Sequence, residues 1–181
     1  MPALKHRHRN PLKGFTFRYE VLPRDVEDVR GLVEKTGFFR GDEIAVAAEL
    51  VTERLSRGPE SGYYFVMGEE GGRLAGYVCY GPIPCTISSF DLYWIAVDPG
   101  LQGRGLGKAL LDEAERLIRE MGGDRVYVET SSRDQYESTR LFYERCGYVI
   151  ASVLDDFYAP GDSRATYLKR LSEDGNPPQK P

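Results

Sequence analysis

The sequence predicts an α/β fold, and three observations lead to that reading. Seven short runs rich in aromatic and β-branched residues are interspersed with four stretches whose apolar residues recur at helical spacing. Breaks containing Gly, Pro or Asp punctuate most of the boundaries. One glycine-rich segment, residues 102–107, lies where a strand pattern gives way to a helix pattern. The chain has 181 residues, which suits one domain able to bury a core.

Phe15 to Val21 alternates large apolar with polar residues, as a half-buried strand does, and Pro23 ends it. Asp25 is placed to cap a helix, with Asp28 three residues on, and Val26, Val29, Leu32 and Val33 line one face through Lys35. A second helix follows Gly41-Asp42, with Ile44, Ala47, Ala48, Val51 and Leu55 on one side, and stops at Gly58-Pro59. Tyr63 to Met67 and Leu74 to Gly81 form a hairpin around Glu69-Glu70-Gly71-Gly72. Phe90 to Val97 is a further strand, closed by Asp98-Pro99-Gly100. A long helix opens within the glycine-rich segment and runs to about Met121, with Gly122-Gly123 as its terminator. Arg125 to Thr130 is a strand, Tyr136 to Cys146 a helix capped by Gly147, and Tyr148 to Leu154 and Arg164 to Leu171 are the last strands. Asp155 to Asp162 is expected as the loop between them. Residues 1–13 are expected as a flexible basic arm, residues 14–171 as one domain, and residues 172–181, with three prolines, as a disordered tail.

Composition narrows the function. A formal net charge of −4 argues against a general nucleic-acid or membrane-surface role. No run approaches the roughly 18 apolar residues of a membrane span, and no apolar stretch follows the basic start as in a secretory signal. Cys79, Cys85 and Cys146 form no CxxC pair, and the two histidines, His6 and His8, lie in the basic arm. The reading is a cytoplasmic protein with no metal site and no disulfide framework.

The segment Gln102-Gly103-Arg104-Gly105-Leu106-Gly107-Lys108 carries the chemistry. The first amides of a helix lack intrahelical partners, and the helix dipole places positive potential beside them. A phosphate is well held there. Glycine at 103, 105 and 107 clears the approach, and Arg104 and Lys108 are expected to add mobile positive charge at the rim. A P-loop register fails, because Gln102 and Ala109 occupy its Gly and Ser/Thr positions. A GxGxxG register fails at Lys108.

Ile95-Ala96-Val97-Asp98-Pro99, followed by Gln102 to Gly107 and Leu110-Leu111, resembles the acetyl-CoA motif of the GNAT superfamily of N-acetyltransferases. Leu141-Phe142-Tyr143-Glu144-Arg145-Cys146-Gly147-Tyr148 is similar to that family's second signature, an aromatic pair near a helix end followed by a Gly-aromatic step. The resemblance implies a mixed, twisted central sheet of six to seven strands with helices on both faces. It also implies acetyl-CoA as cosubstrate and direct transfer of its acetyl group to a primary amine within a ternary complex. By motif position Tyr143 is the general acid that protonates the leaving thiolate. The base is Asp91, or Glu129, or a water relay. Main-chain groups of Ile95, Ala96 and Val97 are implied to bind the pantetheine arm. Many relatives carry Asn just before the last helix. This chain has a longer Thr130 to Tyr136 stretch instead, which leaves Tyr136 and Ser138 as the cofactor-contact candidates. Cys146 as a nucleophile is disfavoured, since no histidine beyond residue 8 exists to activate it.

The acceptor side is expected from residues 36–43 and 155–162. There Asp42, Glu43, Asp155 and Asp156 would attract a cationic amine, and Phe38, Phe39, Phe157 and Tyr158 would wall it. A small-molecule or amino-acid-like amine is the favoured acceptor, with the chain a monomer or a homodimer. The alternative from another class is a non-catalytic acetyl-CoA-binding sensor or regulatory module.

Overall fold

The computed structural model describes residues 12–171. The expected tail, and all of the expected arm except Leu12 and Lys13, lie outside the described residues. The elements are β1 (Phe15–Arg18), α1 (Asp25–Thr36), α2 (Gly41–Arg57), β2 (Tyr64–Glu70), β3 (Arg73–Pro82), β4 (Ser89–Val97), α3 (Leu106–Glu120), β5 (Arg125–Ser131), α4 (Glu137–Arg145), β6 (Val149–Ala159) and β7 (Asp162–Arg170). The strands form one seven-stranded sheet in the order β1-β2-β3-β4-β5-β7-β6. It is mixed: β4 and β5 run parallel, while β1–β2, β5–β7 and β6–β7 are antiparallel.

Internal contacts divide the chain into two compact units. One holds the described residues through Cys79 together with Trp94–Ala114, and the other holds Tyr80–Tyr93 and the described residues from Glu115 on. The first unit buries Val29 and Val33 of α1, Val51 of α2, Val66 and Met67 of β2 and Leu106 and Leu110 of α3. Each such side chain contributes on the order of 1.5–3 kcal/mol relative to exposure. The second unit buries Phe90, Ile118, Val126, Val128, Tyr143, Tyr148 and Tyr167.

Three boundaries differ from the sequence reading. The first strand stops at Arg18 rather than Val21, because the chain turns there around a buried carboxylate. Asp25 is not the cap: Arg24 holds that position without a side-chain bond. The Asp25 carboxylate instead takes both Arg18 guanidinium nitrogens at 2.8 Å and the Leu22 amide at 2.7 Å. The last two strands are longer than expected, and the Asp155–Asp162 loop shrinks to the turn at Pro160-Gly161. Asp156 adopts a left-handed φ of 54° inside β6, and its carboxylate accepts the Gly161 amide at 2.7 Å. A strand interrupted in this way does not alternate, so its pattern looked like a loop.

The β4–β5 ladder has only three steps, Ser89↔Arg125, Phe90↔Val126 and Asp91↔Tyr127, although both strands continue beyond it. On its other side β5 pairs with β7 through all its residues, Arg125 to Ser131.

Candidate active site

In the first unit, the link from β4 to α3 is pinned before it opens. Asp98 accepts the Gly100 amide at 2.8 Å and the Lys35 ammonium at 2.7 Å, while its own amide donates to Ala75 O at 2.8 Å. The Lys35 bond, followed by the Gly100 bond, holds the Asp98 carboxyl below the usual carboxylate range. The sequence reading took Asp98-Pro99-Gly100 as the close of the strand, and Asp-Pro-Gly there is a turn signal with this mechanism.

Residues 102–105 are exposed, and α3 starts at the buried Leu106. Gly103 and Gly105 take φ of 76° and 84°, a region that side chains disfavour, and a Cβ at Gly103 would meet no atom within 4 Å. The link is therefore conformationally dependent on glycine and exposed, and a Cβ at Gly105 would stand 3.5 Å from the Leu12 side chain. Its first intrahelical bond runs from Ala109 N–H to Gly105 C=O at 3.0 Å. The amides of Leu106 and Gly107 precede that bond and have no carbonyl four residues back within the helix. Arg104 pairs with Glu70 at 2.7 Å and stacks over Phe15 with its guanidinium carbon 4.8 Å from the ring centre. The register Phe15↔Glu70 presents that ring and that carboxylate side by side. Lys108 pairs with Asp112 one turn on. Both pairs are exposed surface pairs, and the helix terminus adds its own positive potential there.

On β4, Ala96 is buried and Ile95 and Val97 are half-buried. Trp94 lies 5.0 Å from Phe39 between ring centres, and among the described residues its buried indole Nε1 has no hydrogen-bond partner. Of the expected aromatic wall, Phe39 is thus joined by a tryptophan that sequence reasoning did not single out. Asp42 and Glu43 are not free carboxylates: Arg40 lies 3.4 and 3.5 Å from them.

In the second unit, Tyr143 is buried in α4 among aromatic rings, with Phe142, Tyr148 and Tyr167 at 5.4, 5.5 and 6.4 Å. Burial, with a smaller contribution from Cys146, pushes its phenol well above the ordinary tyrosine value. It keeps its proton throughout the neutral range. Asp91 ends the β4–β5 ladder opposite Tyr127, half-buried. Burial first, and the Glu129 carboxylate second, raise its pKa from 3.8 to about 6. Glu129 is exposed and ion-paired to Arg164 at 3.3 Å, and Arg164 stacks on Phe157 at 4.1 Å. Tyr136 is buried beneath Arg133, 5.6 Å away, and Ser138 is exposed at the start of α4.

The sequence reading also missed the support under Tyr143. Glu115 of α3 is buried, accepts from the Tyr148 hydroxyl at 3.1 Å and pairs with Lys169 of β7 at 2.7 Å. No group of His, Cys, Asp and Glu arranged to hold a metal occurs among the described residues. No described helix is long and apolar enough to cross a membrane.

Comparison with known proteins converges on one family. The crystal structure of a GNAT-family chain from Desulfovibrio desulfuricans superposes with a TM-score of 0.86 at 47% identity, covering 87% of this chain and 99% of that one. A mycothiol acetyltransferase of Beutenbergia cavernae is 40% identical over 72 residues, which are 39% of this chain and 23% of that protein. The chain thus spans about a quarter of that relative's length. The N-alpha-acetyltransferase RimI of Mycobacterium tuberculosis is 29% identical over 112 residues, 61% of this chain and 68% of that protein. The model of the acetyltransferase (GNAT) family matches residues 32–148. With well over half its length so matched, and with the seven-stranded sheet of that fold, the chain belongs to the GNAT family of acetyltransferases.

Proposed function

We propose that the protein is an N-acetyltransferase that moves the acetyl group of acetyl-CoA directly to a primary amine in a ternary complex. The observation that carries this is the exposed, glycine-dependent link at the N-terminus of α3. Its exposed outer side and first-turn amides suit a pyrophosphate, with Gln102, Gly103, Arg104, Gly105, Leu106, Gly107 and Lys108 as the contacting residues. The short β4–β5 ladder supports a second contact. The ladder ends at Asp91↔Tyr127, and the main chain of Ile95, Ala96 and Val97 is the proposed partner of the pantetheine arm. Tyr136 and Ser138 are the proposed further contacts.

An alkyl ammonium must lose a proton before its nitrogen can attack the thioester carbonyl. Asp91 is the proposed base, with Glu129 or a water chain as the other routes. A carboxylate near 6 is ionised at neutral pH yet basic enough to take part. As the C–S bond breaks, the Tyr143 phenol gives its proton to the leaving thiolate. The favoured acceptor is a small or amino-acid-like amine, drawn to the half-buried carboxylate of Asp91. The test is coenzyme A release measured against a panel of amines. Turnover on at least one supports the proposal, whereas acetyl-CoA binding with no turnover on any assigns the chain to a non-catalytic binding module.

Two predictions arise here. First, kcat/KM is expected to rise with pH through a midpoint near 6 as Asp91 ionises, and Asp91→Asn should remove that inflection together with most activity. The same substitution should stabilise the fold at pH 7. The folded-state value of about 6 exceeds the unfolded value of roughly 3.9, so the native state holds the extra proton between them. The ionised carboxylate therefore costs stability, fully above the folded value and not at all below the unfolded one. Thermal melts of both proteins at acid and neutral pH check the sign: the gap should appear at pH 7 and close towards pH 4 (roughly the unfolded carboxyl value). Second, Gly105→Val forces a β-branched residue to φ 84°. At about 1–2 kcal/mol of backbone strain, the expected weakening of acetyl-CoA binding is roughly 5–30-fold by calorimetry.

A further inference from the structure

Within the second unit, one face of the sheet carries a line of charge. The helices of that unit take the other face: Tyr143 of α4 packs on Tyr167 and Glu115 of α3 pairs with Lys169, both odd-numbered side chains of β7. Strand alternation sends Asp91, Tyr127, Glu129, Thr166 and Arg164 to the opposite side, since Asp91 faces Tyr127, Glu129 faces Thr166 and Ser131 faces Arg164 in the register. Glu129 is exposed and the other four are half-buried. Burial, and then Glu129, raise the Asp91 pKa to about 6, which places the two carboxylates near each other.

Arg164 is the cation of this line, and its hydrogen-bonding capacity is only partly used. Glu129 engages a single nitrogen, Nη1, with its two oxygens at 3.3 and 3.4 Å. The Phe157 ring steadies the guanidinium, 4.1 Å from its carbon. Nε is enclosed and has no hydrogen-bond partner among the described residues. An enclosed donor left unpaired is costly and calls for a partner. The edge that bears Nε is the one that, together with Nη2, grips a carboxylate bidentately. The side chain as a whole stays 25% exposed.

We propose that Arg164 binds a carboxylate of the acceptor, so that the acceptor is a small primary amine carrying a carboxylate on a spacer of several bonds. The inference rests on the acetyltransferase reading, in which the amine goes to Asp91. Glu129 holds Nη1 alone, so the incoming carboxylate takes the other edge without displacing it. The register sets the spacer. Asp91 and Arg164 are two strands and four residues apart, roughly 16 Å between Cα atoms at about 4.8 Å per strand and 3.3 Å per residue. Arg164 leans back towards Asp91, as its pair with Glu129 requires, and closes part of that distance. What remains exceeds the single carbon that separates amine from carboxylate in an α-amino acid.

The same probes test this by calorimetric titration of the coenzyme A complex and by coenzyme A release from acetyl-CoA. They are glycine, γ-aminobutyrate and ε-aminocaproate, each beside its own primary amide. ε-Aminocaproate is expected to bind and react roughly 10–150-fold better than its amide, the range for hydrogen bonds to a charged group. Glycine should do no better than glycinamide. Arg164→Gln should bring the acid-to-amide ratio for ε-aminocaproate close to one. Arg164→Lys, which keeps the charge but not the fork, should restore only part of it. The ratio in the parent protein needs no variant, so a misfolded substitution leaves the inference open to refutation. Equal response to acid and amide along the whole series overturns it, and so does a preference that survives Arg164→Gln. Coenzyme A release from any amine without that preference sinks the carboxylate site alone. Arg164-dependent binding with no release supports the site and counts against the catalytic reading.

Discussion

Tyr143→Phe is expected to lower kcat by on the order of 10²–10⁴, the range that a positioned general acid supplies, while the dissociation constant for acetyl-CoA stays close to the parental value. The change removes one oxygen and leaves the ring, so the contacts with Phe142, Tyr148 and Tyr167 persist and the fold is retained. The raised phenol value sharpens the expectation. Because the group does not ionise below the ordinary tyrosine range of roughly 10, it should produce no falling limb in the pH–rate profile of the parent enzyme at moderately alkaline pH. Stopped-flow turnover alongside calorimetric titration of acetyl-CoA decides the matter. Parental turnover in the Phe variant would remove Tyr143 from the chemistry and leave it as a packing residue.

Glu115→Ala is expected to destabilise the fold strongly, by about 3–5 kcal/mol. The side chain is almost fully enclosed and serves both the Lys169 ammonium and the Tyr148 hydroxyl. Truncating it leaves a largely enclosed cation without its partner, and the cost is dominated by that stranded charge rather than by the lost attraction. Against a typical total of roughly 5–15 kcal/mol, the variant would be close to unfolding. Combining it with Lys169→Met removes the stranded charge, and the double variant should recover much of the loss. Urea unfolding of the two single variants and the double variant measures the coupling. Additive losses would show that the pair is not a unit.

The order of strands and helices was legible because each stretch carries its own period, and the glycine-rich link was legible because it lies between two such periods. What escaped sequence reasoning depends on partners far apart in the chain. Asp25 looked like a cap because nothing local reveals that Arg18 turns back onto it. Glu115 sits on a helix rich in acids, and its reason for being enclosed lies 54 residues away at Lys169. The partner of Arg104 was hidden for the same reason, since Glu70 reaches it from a distant strand. The extent of β6 was missed for a different cause. An edge strand bent by residues out of register has neither alternation nor a buried face to announce it.

The three-step ladder between β4 and β5 has an evolutionary corollary. If the carrier molecule is gripped there by peptide groups, that grip is written in backbone geometry rather than in side-chain identity. Mutation at the half-buried Tyr93, Ile95 and Val97 can then drift without surrendering the acyl donor, while the buried Leu92 and Ala96 stay fixed by the core. Descendants of such a scaffold are free to change what they modify long before they change what they carry.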